Sequence, residues 1–84
     1  MHVDFITPEE KLFEGDATSV ILPGVGGYFE ILDRHAPLIA ALGKGQTKIT
    51  TAQGPKTYTI TGGFAEVLNN KLVVLAESAK SGDA

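Results

Sequence analysis

Glu30, Asp33, Arg34 and His35 form the densest set of ionisable side chains in the sequence. Converging on one pocket, they would supply a base, an acid and an anion clamp. Asp33-Arg34-His35 are consecutive, however, and stand beside Pro37. That pattern predicts a solvated bend whose neighbouring side chains splay apart, and no Ser or Cys nucleophile pattern accompanies it. The residues therefore point away from catalysis. His2 and His35 are the only imidazoles. They are distant in sequence and lack paired carboxylates at ligand spacing, so neither a metal nor a cofactor is expected. Gly24-Val25-Gly26-Gly27 has the glycine content of a phosphate-cradling loop, but the Gly-Lys-Ser/Thr and the helix of a P-loop do not follow. It predicts a hairpin turn in which glycine can take positive φ at three positions. Tyr28 and Phe29 come next, and neighbours on a strand face opposite ways, so one of the two aromatics points outward beside that turn. This is the best candidate for a binding loop.

The elements that position these residues are strands. Ten glycines and four prolines, spread evenly, cut the chain into pieces too short for most helices. Val3 to Ile6 is rich in β-formers and stops at Thr7-Pro8. Leu12 to Glu14 is a short second strand, and Ala17 to Leu22 alternates until Pro23 ends it. Tyr28 to Leu32 resumes β character, and His35-Ala36-Pro37 makes a corner before Leu38 to Leu42. Gln46 to Thr50 and Thr57 to Thr61 pair across the Ala52 to Pro55 turn with the cleanest period-two pattern in the chain. Phe64 to Leu68 leads to Asn69-Asn70, which is placed for a two-residue type I′ turn into Lys71 to Glu77. The expected architecture is all-β, a β-sandwich or flattened barrel of eight to ten short strands in one domain over residues 1–80. Residues 81–84 are expected to fray.

Eighty-four residues bury only a thin core, and no cysteine or Cys/His cluster reinforces it. Tight packing or a permanent partner must compensate. Yet Leu72 to Ala76 is apolar at every position, and Leu38 to Leu42, Phe64-Ala65 and Val67-Leu68 add further apolar surface. A sandwich strand has one inner and one outer face, so some of this surface needs a cover, either loops or a protein partner. Net charge is −3 with seven Lys and Arg spaced singly, which disfavours nucleic acid and anionic lipid. No apolar run reaches the roughly 20 residues that span a bilayer, and the start lacks the features of a secretory signal. The absence of cysteine fits a reducing compartment.

Several segments together carry a family resemblance. They are Val3 to Ile6 followed by Leu12-Phe13-Glu14-Gly15, then Gly27 ahead of His35-Ala36-Pro37-Leu38, then Gly62-Gly63-Phe64-Ala65-Glu66-Val67, and lastly Val73 to Ala79. In this order the chain resembles the epsilon subunit of bacterial F-type ATP synthases, nearly end to end. The resemblance implies a ten-stranded β-sandwich at the foot of the gamma subunit and on top of the c-ring, turning with both. It implies a non-catalytic rotor subunit at the cytoplasmic face of the bacterial inner membrane, without membrane insertion. By position, Gly26, Gly27, Tyr28, Phe29 and Glu30 would meet the c-ring, and His35, Ala36, Pro37, Leu38 and Ala40 would lie toward gamma.

Two departures from the family pattern matter. Members commonly carry a carboxylate directly after the glycine that matches Gly27, and a glycine two residues further on. Here Tyr28 and Glu30 occupy those places, so the electrostatic role is assigned to Glu30. Most members also continue into a C-terminal helical hairpin, whereas this sequence stops at Ala84. Coupling without that helical brake, and without nucleotide binding, is the expectation. The competing reading is a free-standing β-sandwich module that binds a peptide or carbohydrate through Tyr28, Phe29 and the Gly24 to Gly27 loop.

Overall fold

Strand follows strand in the computed structural model, which describes residues 1–82. The elements are β1 (His2–Ile6), β2 (Lys11–Asp16), β3 (Ser19–Gly24), β4 (Gly27–Leu32), β5 (Leu38–Leu42), β6 (Gly45–Thr51), β7 (Gly54–Ile60), β8 (Gly63–Leu68), β9 (Lys71–Ala76) and β10 (Ala79–Ser81). One hydrogen-bonded path runs β10-β7-β6-β3-β5-β8-β9-β1-β2, with β4 on the side of β3. It folds over at its weakest joint. β3 meets β5 through the single pair Gly24–Leu42, whereas β3 meets β4 along its whole length and β6 through Ser19 to Ile21. The result is two facing layers, β10-β7-β6-β3-β4 and β5-β8-β9-β1-β2, as the all-β sandwich reading requires.

Alternation along each strand fills the space between the layers. Val3 and Phe5 of β1, Val20 and Leu22 of β3, Ile31 of β4, Ile49 of β6, Ile60 of β7, and Leu72 and Val74 of β9 are fully buried. Phe5 meets Tyr58 of the opposite layer edge to face, with ring centroids 4.7 Å apart, a geometry the ring quadrupoles favour. Burial of the Tyr58 hydroxyl pushes its pKa above the usual tyrosine value. Thr47 is also fully buried, and its Oγ1 has no hydrogen-bond partner among the described residues. Thr47→Val keeps the shape and removes the unsatisfied hydroxyl. It is expected to stabilise the fold by about 1 kcal/mol, read as a higher denaturation midpoint at unchanged slope.

Turn chemistry matches the sequence at the β8–β9 hairpin, whereas the β6–β7 turn is tighter than Ala52 to Pro55, since β7 begins at Gly54 and Pro55 already pairs with Thr50. Asn69 and Asn70 both take positive φ, 52° and 59°, the type I′ signature, and join β8 to β9. At the β6–β7 hairpin, Thr51 Oγ1 donates to the Gly54 carbonyl (2.9 Å) and accepts from the Gln53 N–H (3.1 Å).

Three further expectations differ from the structure. β3 does not end at Pro23 but runs on to Gly24, because Pro23 falls between the stretch of β3 that pairs with β6 and the residue that pairs with β5. At that break a missing N–H disrupts no ladder. In the Gly24 to Gly27 turn only Gly27 has positive φ (130°). Gly24 serves a different need there, since a Cβ would lie 2.9 Å from the Phe29 ring. Ser81 and Gly82, assigned by sequence to a fraying tail, are tied to β7: Ser81 pairs with Tyr58, and the Gly82 N–H donates to the Thr57 carbonyl (2.7 Å). Asp83 and Ala84, the rest of that tail, lie outside the described residues.

Candidate functional site

The β3–β4 turn and the loop after β5 form one end of the sandwich. The Val25 N–H donates to the Ala41 carbonyl (3.0 Å), and the Gly43 N–H donates to the Pro23 carbonyl (2.7 Å), which locks the two loops together. Val25 at the tip is 74% exposed. On β4 the pleat turns Phe29 and Ile31 inward and leaves Tyr28 and Glu30 outside, so Tyr28 is the outward aromatic. Its ring covers Gly45, where a Cβ would sit 2.5 Å from the hydroxyl oxygen, and that oxygen accepts a hydrogen bond from the Gln46 N–H (2.9 Å). Tyr28 is therefore a fixed platform with Glu30 two residues along on the same face.

The ionisable cluster of the sequence does not converge. His35 Nδ1 lies 2.8 Å from its neighbour's carbonyl, that of Ala36, and Asp33 pairs with the terminal ammonium of Met1, which also donates to the Ala17 carbonyl (3.0 Å). The Arg34 backbone N–H donates to Asn70 Oδ1 (2.7 Å), which holds Arg34 at a φ of 63°. Glu30 projects from the outer face of β4, away from this bend. Asp33 and Arg34 line one open depression with Asp16 and Asn70, while His35 turns to its neighbour's carbonyl and Glu30 stands on β4, so the four groups share no single pocket.

His35, Ala36 and Pro37 form the corner into β5, and the pleat of β5 then decides which side chains reach outward. Leu38 packs against the core, and Ala40 and Leu42 share its side of the strand. Ile39, between them, is 73% exposed. With Phe64 and Leu68 of β8 and Leu75 of β9 it belongs to one outer face, where Ala41 pairs with Phe64, and Phe64 pairs with Leu75. Ile39, Phe64, Glu66, Val73 and Leu75 line a shallow depression on that face. Four of the seven exposed large apolar side chains among the described residues lie here, the surplus anticipated from the apolar runs. The exposure of Ile39 is not readable from the sequence, because an all-apolar strand gives no phase from which to choose between Leu38 and Ile39.

At the other side of the same layer the structure assembles a group that sequence reasoning overlooked. His2 and Asp4 share the outer face of β1, and Glu14 of β2 stands opposite Asp4. His2 Nε2 lies 3.5 Å from Asp4 Oδ1 and 3.4 Å from Glu14 Oε2. Lys11 bonds Glu14 Oε1 at 2.9 Å, and Lys71 of β9 stands 3.7 Å from Asp4 Oδ2. Hydrogen bonding between Lys11 and Glu14 raises the lysine pKa above its ordinary value and lowers that of the carboxyl. The His-x-Asp spacing on a strand was a legible signal for the first pair; Glu14 required the β1–β2 register.

Residues 1–82 match the family described as the beta-sandwich domain of the ATP synthase delta/epsilon chain. The chain belongs to this family. The epsilon chain of Chlorobaculum tepidum is 42% identical over 89% of this chain and 86% of its own length. Epsilon chain 1 of Nitrobacter hamburgensis is 44% identical over 95% of this chain but only 59% of its own, so relatives of both lengths carry the domain. The fold of the family recurs in a chain of the Euglena gracilis mitochondrial ATP synthase solved with OSCP, F1 and the c-ring. That chain superposes with a TM-score of 0.87 at 18% identity, covering 94% of this chain and 51% of that one. No helix among the described residues is long and apolar enough to cross a membrane.

Proposed function

We propose that this chain is a non-catalytic rotor subunit of a proton-translocating F-type ATP synthase, held between the gamma subunit and the c-ring at the cytoplasmic face of a bacterial inner membrane. Membership of the delta/epsilon family over residues 1–82, together with epsilon-chain relatives at about 40% identity, is the observation that carries this reading. The free-standing peptide- or carbohydrate-binding module gives way to it. The β3–β4 end, with Gly26 and Gly27 at the turn and Tyr28 and Glu30 outward, is the surface for the polar loops of the c-ring; Phe29 supports it from within. The corner at His35, Ala36 and Pro37 leads into the gamma surface, to which Leu38 and Ala40 contribute backbone and Ile39 its side chain.

Torque transmission needs rigidity and two faces rather than a reacting group. Fixed backbone at the locked loops, a buried inter-layer core and an apolar outer face meet those needs. Size-exclusion chromatography with the gamma subunit of the same organism is the test. Co-elution that survives moderate salt is the expected result, and separate elution at low and moderate salt alike would return the reading to a stand-alone module. At the other surface, Glu30→Gln is expected to flatten the salt dependence of c-ring binding; an unchanged dependence would remove Glu30 from that role.

A further inference from the structure

We propose that His2, Asp4 and Glu14 form a binding site for a divalent transition-metal ion of the Zn²⁺ type on the outer face of the β1–β2 pair. Zn²⁺ bonds imidazole nitrogen and carboxylate oxygen at about 2.0–2.2 Å, which places neighbouring ligand atoms about 3.3–3.6 Å apart in a tetrahedron. His2 Nε2 already stands 3.5 Å from Asp4 Oδ1 and 3.4 Å from Glu14 Oε2, and the three ligand atoms all lie within 4.8 Å of one another. One ion at their centre needs only small side-chain rotations.

A second observation is independent of that spacing. Asp4 is only 9% exposed, walled in between β2 and β9, and its Oδ1 has no hydrogen-bond partner among the described residues. This buried acceptor is aimed at the His2 ring. Its nearest cationic neighbours, His2 Nε2 at 3.5 Å and Lys11 Nζ at 3.6 Å, stand beyond hydrogen-bond reach, and a directly bonded cation would offset more of the cost of burying that oxygen. The remaining carboxylate oxygens are engaged elsewhere: Glu14 Oε1 with Lys11, and Asp4 Oδ2 with Lys71. Each carboxylate thus keeps one oxygen toward the imidazole, the arrangement in which outer partners orient metal ligands. With no thiolate in the chain, imidazole and carboxylate select a Zn²⁺-, Co²⁺- or Ni²⁺-like ion rather than a soft one.

Lys11 is the competitor. Its Nζ is 3.6 Å from Asp4 Oδ1 itself, but the side chain is half exposed and can turn into water when a dication arrives. The site lies on two adjacent strands of one layer, so an ion there ties the outermost strand, β2, to β1.

The test is a Co²⁺ titration of the tag-free chain at pH 7.5 in a non-chelating buffer, followed by visible absorption. A saturable one-to-one signal of tetrahedral type is expected, displaced by Zn²⁺. His2→Ala, at a surface position that leaves the core intact, should weaken binding about tenfold or more, and Lys11→Gln should tighten it several-fold. No saturable signal, or a signal that His2→Ala leaves unchanged, would overturn the assignment. A thermal midpoint raised by Zn²⁺ in the parent chain and not in His2→Ala is the second readout, and equal shifts in both would count against the site.

Discussion

Gly63→Ala is expected to destabilise the domain by about 3–5 kcal/mol, enough to leave much of a domain this small unfolded. Gly63 opens β8 with a φ of 147°, and a Cβ there would lie 2.0 Å from the Leu75 carbonyl oxygen and 2.9 Å from the Ala76 Cα. Both obstructing atoms belong to the backbone of β9, so no side-chain rotation clears them. Gly63 is also clamped from both sides, paired with Leu42 of β5 and Ala76 of β9, and relief requires one ladder to separate. Positive-φ strain contributes about 1–3 kcal/mol and overpacking a similar amount. Gly26→Ala is the matched control: its Cβ meets nothing within 4 Å, and its φ is ordinary, so a change within about 0.5 kcal/mol is expected. Urea denaturation followed by circular dichroism reads both variants. Equal midpoints for the two would show that β9 accommodates a side chain at this point.

That clamp was visible in the sequence only as Gly62-Gly63 between two strands. What was legible there, and in the rest of the fold, is what local rules determine. The period-two alternation of Gln46 to Thr50 and Thr57 to Thr61 places Thr47, Ile49, Tyr58 and Ile60 inward, and all four are buried. Asn-Asn between two apolar runs gives a I′ turn, because asparagine tolerates the left-handed region better than most residues. Non-local facts were not legible. The strand at Ala79 to Ser81 has no alternation to announce it and exists because β7 offers a free edge. The run past Pro23 depends on where β6 stops and β5 starts along the edge of β3. Glu14 meets His2 only through the antiparallel register of β1 and β2, with its irregularity after Phe5. For the contact surfaces the same division holds. A glycine turn beside an aromatic pair was enough to expect one outward aromatic, but only the pleat of β4 shows that it is Tyr28 and not Phe29, and the β5 run of five apolar residues has no polar member to set its phase. Only pairing with β8 fixes Ile39 on the outer side and turns Leu38 toward the core.

Phe64→Asp should therefore separate folding from docking. Phe64 is 58% exposed, pairs with Ala41 on one side and Leu75 on the other, and has its ring in solvent, so an aspartate there is hydrated in the free domain and changes its stability little. Docked against gamma, the same aspartate would be removed from water at the centre of an apolar face whose neighbours, Ile39, Val73 and Leu75, offer it no donor. An unpaired charge at such a position typically costs 2 kcal/mol or more in binding, and the apolar contact of the ring is lost as well. The expected result is a gamma-subunit affinity about a hundredfold weaker, roughly 2.7 kcal/mol, at an unchanged denaturation midpoint. Lys48→Asp, on the outer face of the opposite layer, reverses a charge without touching this surface and should leave gamma affinity near that of the parent. The loss should also resist added salt, since the apolar contact it removes is not screened. If Phe64→Asp bound gamma as tightly as the parent chain, the β5-β8-β9 face would not be the gamma surface. Docking would then have to run through the backbone of the His35 to Pro37 corner, and the apolar face would be left for a different partner. A hundredfold loss confined to Phe64→Asp would instead explain why a domain with so thin a core keeps Ile39, Phe64 and Leu75 outside it.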